Sequence, residues 1–195
     1  TTTTDSSGNG NTGSINLWGG GNTATSSARV TGKYGGSITF DGEDDNVSIG
    51  NGSSLNITGA ITLSAWVYIT AGQQDHAGII SGRNCNCAED YALVMTGTGI
   101  RFNYYNGSAW YDQGYGSVPT NAWSLLTITR NASGSIINYF INGALVQSDT
   151  GIGPGGGVGS NTKVIGLDPY GTAGKFSGKI DEARIYNRDL SPAEV

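Results

Sequence analysis

Apolar and polar positions alternate with a period of two through most of the chain, and polar, glycine-rich turns interrupt the alternation at short intervals. That pattern predicts many short, half-buried strands. It places them at Gly13–Leu17, Ser37–Phe40, Asn46–Ile49, Ile61–Ile69, Gly78–Ser81, Tyr91–Met95, Gly99–Tyr105, Trp123–Arg130, Ser135–Ile141, Ala144–Ser148, Lys163–Gly166 and Gly178–Tyr186. No apolar period of about 3.6 residues is sustained, so long helices are not expected. Within Ile61–Ile69, Leu63, Ala65, Val67 and Ile69 share one face and Trp66 and Tyr68 the other. A strand that is bulky on both faces is either covered on both or carries an aromatic binding face. Asn142-Gly143 supplies the two positive-φ residues of a type I′ hairpin turn between its flanking strands. The expected fold is an all-β sandwich of two antiparallel sheets, with Leu63, Val67, Leu125, Ile137, Ile141, Ile165 and Ile180 packed between them.

The length, 195 residues, suits one domain over residues 1–195, with 1–4 as the end of a linker. Charged residues make up only 13% of the chain and glycines number 33, yet the aromatic residues fall in the periodic segments. This is the composition of strands joined by polar turns, not of a disordered chain. The net charge is −5 and no Lys/Arg cluster exists, which argues against nucleic acid or an anionic membrane as partner. No apolar run approaches the ~18 residues of a membrane span. A neutral, hydroxyl-rich ligand suits this surface better.

Three groups of residues carry candidate chemistry. Carbohydrate sites pair aromatic rings with carboxylate, amide and guanidinium groups that bond hydroxyls. The run Asn103 to Tyr115 holds Tyr105, Trp110 and Tyr111, and a polar cluster around Asp75 and Arg83 is the second part of the set. Asp75, Arg83, Asn103, Tyr105, Trp110 and Tyr111 are therefore the candidate saccharide ligands, against the alternative that such rings pack under loops. Asp5, Asn9 and Asn11 offer hard oxygens in a glycine-containing loop, and Asp41 or Asp181 could complete a structural calcium site. The alternative is that these residues cap turns. Cys85 and Cys87, the only cysteines, are expected to be bridged in the oxidised protein, free thiols being the alternative. A glycosidase needs two carboxylates about 5–9 Å apart, and no alternating acidic triplet exists. The single histidine, His76, has no nucleophile motif around it. No catalytic residues are assigned.

Five segments together resemble laminin-G-like domains of the concanavalin-A-like group. They are Asp5-Ser-Ser-Gly-Asn-Gly-Asn-Thr-Gly13, Phe40-Asp-Gly-Glu-Asp-Asp, Leu63-Ser-Ala-Trp66-Val, Tyr139-Phe-Ile-Asn-Gly143 and the tail from Phe176 to Val195. The resemblance implies a jelly-roll sandwich, an extracellular setting, frequent calcium and structural roles for Trp66 and Trp123. The family usually carries an aromatic, acidic first strand ahead of the Asp5 loop, where four threonines stand here. The function it implies is non-catalytic glycan or polysaccharide binding within a larger secreted, bacterial protein, with the other domains of that chain as partners. The alternatives are an adhesion domain for a protein partner and a glycan-degrading domain.

Overall fold

The structure is a computed structural model that describes residues 2–17, 29–82, 91–105, 110–151, 153, 161–169 and 174–195. Two antiparallel sheets form a jelly-roll sandwich. The strands are β1 (Thr2–Thr3), β2 (Gly13–Asn16), β3 (Arg29–Thr31), β4 (Gly36–Asp41), β5 (Asn46–Gly50), β6 (Ile61–Tyr68), β7 (Gln73–Ser81), β8 (Tyr91–Gly97), β9 (Gly99–Tyr105), β10 (Trp110–Tyr115), β11 (Trp123–Arg130), β12 (Ile136–Ile141), β13 (Ala144–Thr150), β14 (Lys163–Ile165) and β15 (Ser177–Tyr186). The eight-stranded sheet runs β1-β2-β5-β14-β7-β8-β9-β10, and the seven-stranded sheet runs β13-β12-β11-β6-β15-β4-β3.

The core lies between the sheets. Leu63, Ala65, Val67 and Ile69 meet Leu93, Met95, Ile100 and Phe102 across it, and all eight are buried. Of the residues expected there, Leu63, Val67, Ile137, Ile141 and Ile180 are buried and Ile165 packs partly buried against them. Leu125 is the exception. It pairs with Trp66 and is half-buried, while Ser124 and every residue from Leu126 to Arg130 are buried. Two adjacent leucines leave the phase of that strand ambiguous in sequence, and Leu126 is the one that faces the core.

The Asn142-Gly143 turn has φ of 53° and 77°, as a type I′ turn requires. Three strands were not expected. Thr2 and Thr3 pair with Ser14 and Gly13, so this part of the expected linker is the sheet's edge strand. The short β3 pairs with β4, and β10 pairs with β9 along its whole length. β15 contains two adjacent carboxylates, Asp181 and Glu182, and acidic residues are depleted in strands. A register shift between Asp181 and Arg184 accommodates them, with Glu182 at φ 49°. Asp181, only 6% exposed, accepts hydrogen bonds from the N–H groups of Glu182 (2.8 Å) and Tyr34 (2.9 Å). The bulge thus closes one carboxylate on backbone amides and ties the 32–35 turn to the sheet.

Candidate functional site

The polar start of β7 does not lie flat in its sheet. Gln73 pairs with Gly97 and Ala77 with Met95, so Gln74, Asp75 and His76 arch out of the ladder. His76 takes φ 58° at the crest. The arch presents an Asp75 side chain that is 60% exposed yet fixed. Its Oδ1 accepts the Thr96 hydroxyl at 2.8 Å, and its Oδ2 lies 3.0 Å from His76 Nδ1. Arg101 Nη1 stands 3.7 Å from Oδ1. Thr96 also accepts the His76 backbone N–H at 3.1 Å, which holds the arch to β8.

The Thr96 hydroxyl, helped by His76 and Arg101, holds the Asp75 carboxyl below the usual carboxylate range, against a smaller opposing effect of burial. Exposed ion pairs of this kind contribute little to stability. Their effect is to orient an ionised acceptor at the surface. Arg101 is oriented too. It pairs with Gly114 of β10, where a Cβ would lie 2.7 Å from its Cγ and 2.8 Å from its Nε. Glycine at that position lets the guanidinium stem lie across the neighbouring strand.

The sequence-derived saccharide set divides. Asp75 sits in this cluster. Arg83 lies outside the described residues. Trp110 and Tyr105 pair in register as one rung of β9–β10, and their side chains lie outside what is described. Asn103 and Tyr111 are corrections. Asn103 is 1% exposed, so it is not a surface ligand. Tyr111 pairs with Tyr104 and stacks on its ring at 5.5 Å and 17°, against the core. Arg101, Thr96 and Gly114 were missed as a unit, because only the β8–β9–β10 register assembles them.

The residues of the expected calcium loop bond one another. Asp5 accepts the Ser7 N–H (2.9 Å), the Ser7 hydroxyl (2.9 Å) and the Asn11 N–H (2.8 Å). The Ser7 amide is the main cause of a lowered Asp5 pKa. Asn9 bonds Ser7, and Asn11 exchanges bonds with Ser54. This loop is a self-capped turn. Asp41 pairs with Ser177, and Asp181 lies four residues farther along β15, about 13 Å at strand rise. One ion therefore cannot reach both. Among the described residues, the carboxylates that converge are Asp41, Asp44 and Asp45, with ligand atoms within 4.8 Å of one another. Cys85 and Cys87 lie outside the described residues.

With that geometry in view, the chain resembles several solved structures. Domain 4 of AbnA, an extracellular GH43 arabinanase from Geobacillus stearothermophilus solved with arabinotriose, matches with a TM-score of 0.64 at 19% identity, over 85% of this chain and 77% of that one. The CBM40 of a Ruminococcus gnavus IT-sialidase, bound to α2,3-sialyllactose, matches with a TM-score of 0.66 at 17% identity, over 81% and 93%. The ligand-binding domain of botulinum neurotoxin serotype D, in complex with N-acetylneuraminic acid, matches with a TM-score of 0.68 at 16% identity, over 97% of this chain and 46% of that one. At these identities the likeness concerns the fold. No curated protein matches the chain. A family model described as the concanavalin A-like lectin/glucanases superfamily matches residues 41–195.

Proposed function

We propose that this chain, which belongs to the concanavalin A-like lectin/glucanases superfamily, is a non-catalytic glycan-binding module of a larger secreted protein. The observation that carries this reading is the exposed Asp75 carboxylate, fixed by Thr96 and His76 beside an Arg101 laid across Gly114. A preorganised acceptor next to a multiple donor is what vicinal sugar hydroxyls need, because each hydroxyl exchanges water bonds of comparable strength and gains little unless its partners are already in place. The ligands of similar structures support the ligand class: arabinotriose in one and sialyllactose in another. The extracellular arabinanase among them supports secretion.

A glycan array identifies the ligand, and titration calorimetry of variants tests the site. Asp75→Asn and Arg101→Ala are expected to weaken binding about tenfold or more (~1.4 kcal/mol), with the melting temperature little changed. Gly114→Val should do the same by pushing Arg101 aside. Asp75 is held below its ordinary pKa, so its contribution is present above that range and is lost as pH falls through the lowered value. Binding should therefore persist in mild acid. Unchanged affinity in both single variants counts against the site.

A structural calcium ion at the Asp41 turn is a separate proposal. Three close carboxylates suit a hard cation, and Asp44 Oδ1 is sealed from solvent without a hydrogen-bond partner. Calcium should raise the melting temperature of the EDTA-treated protein, and Asp44→Asn should abolish that rise. An identical melting curve with and without calcium rejects it.

A further inference from the structure

The outer face of the seven-stranded sheet has a chemistry of its own. On β6 the residues turned from the core are Thr62, Ser64, Trp66 and Tyr68. On β11 their partners are Thr129, Thr127, Leu125 and Trp123. The face is thus split across its strands into a ring-bearing half and a hydroxyl half. The C-terminal segment crosses the hydroxyl end, where the Thr62 hydroxyl donates to the Arg188 carbonyl and accepts the Leu190 N–H. Between that crossing and the ring-bearing end remains an open trough of about 340 Å³.

Its floor is small and polar. Ser64 and Thr127 hydroxyls bond each other at 3.0 Å. One end is a corner of two aromatic rings, Tyr34 and Trp66, 5.8 Å apart and inclined at 77°. Tyr186 and Leu190 line the other side. Tyr34 is 58% exposed, yet its backbone is fixed by the Asp181 carboxylate. Lys33 lies over the Trp66 ring at 4.6 Å. The rim charges Glu182 and Arg184 form an ion pair, as do Arg188 and Glu194.

We propose that this trough is a second saccharide site, taking one neutral sugar residue of a glycan. A ring corner offers apolar contact to the C–H faces of a chair-form sugar. The paired charges of the rim offer donors and acceptors to its hydroxyls, over a floor whose Ser64 and Thr127 hydroxyls are buried and bonded to each other. The rim acids and guanidinium groups pair with one another and the Lys33 ammonium is held over the Trp66 ring, so the site is built around ring contact and hydroxyl bonding, which suits a neutral sugar. The site lies on the sheet opposite the Asp75 cluster and does not depend on it.

The test is an NMR titration of the ¹⁵N-labelled protein with arabinotriose, cellotriose and xylotriose, each to concentrations on the order of 10 mM, where weak sugar binding registers. At least one trimer is expected to shift the Trp66 indole N–H and the Tyr34 amide. Tyr34→Ala should weaken that response about tenfold while leaving the shifts of Thr96 and Arg101 intact, and Asp75→Asn should do the converse. Glu182→Gln is the rim variant to use if Tyr34→Ala lowers the melting temperature. Failure of all three trimers to move the Trp66 indole overturns the proposal, and so does a Trp66 response that both trough variants leave unchanged. Loss of the Thr96 and Arg101 shifts alone sinks only the Asp75 reading.

Discussion

Replacing Phe40 by Ala is expected to destabilise the domain by about 3–5 kcal/mol. Phe40 is buried, meets Phe176 edge-on at 6.1 Å, and fills the space beside Gly166, whose added Cβ would lie 2.1 Å from the ring. Gly166 donates its N–H to the Ile79 carbonyl (3.3 Å) and accepts the Phe176 N–H (3.1 Å), bonds that hold it against moving into the vacated volume. The cavity should therefore stay largely open and the full truncation cost be felt. At roughly 2–4 °C per kcal/mol for a domain of this size, the melting temperature should fall by roughly 6–20 °C. A thermal melt that moves by less than the lower figure means that the ring is not a keystone of the core.

Gly78→Ala is the second large effect. Gly78 lies in β7 directly beneath Leu167 and Asp168, where its Cβ would come within 2.2 Å of the Leu167 carbonyl carbon and 2.3 Å of the Asp168 nitrogen. These are backbone atoms and no rotamer relieves the overlap. Its N–H also donates to the Gly174 carbonyl at 3.0 Å, the carbonyl that accepts from Asp168 at 2.6 Å. Leu167 and Asp168 must lift off the sheet, at a cost at or above the ~1–3 kcal/mol of ordinary overpacking. Hydrogen exchange should show protection lost at Asp168 first. Wild-type protection there in the variant rules out the close crossing.

The strands of the core were legible because alternation and the Asn-Gly turn act locally. What failed depended on partners. β10 was read as a binding loop, since its run of Trp, Tyr, Asp and Gln has no clean apolar period until β9 supplies a register. Tyr111 looked like a surface ring for the same reason: only its pairing with Tyr104 turns it to the core. β7 was expected to begin at Gly78, because the polar arch at Asp75 breaks the alternation that marks a strand. Asp75 itself was legible as a polar residue in a suspicious place, whereas Thr96 and Gly114 carry no local signal. Trp66 was read as structural, and its contact with Tyr34 and Lys33 depends on a turn more than thirty positions away in sequence.

The unequal anchoring of the two ends has a mechanical consequence. β1 holds the first threonines by two rungs at the margin of its sheet. β15, by contrast, lies in the interior of the other sheet, bonded to β6 on one side and β4 on the other. Tension applied through the C-terminal end is met first by the Thr62 bonds to Arg188 and Leu190, and then by β15, which neighbours hold on both sides. Tension through the other end peels β1 rung by rung. A tethered domain of this build should yield at its first strand under small forces and keep the rest of the sandwich whole.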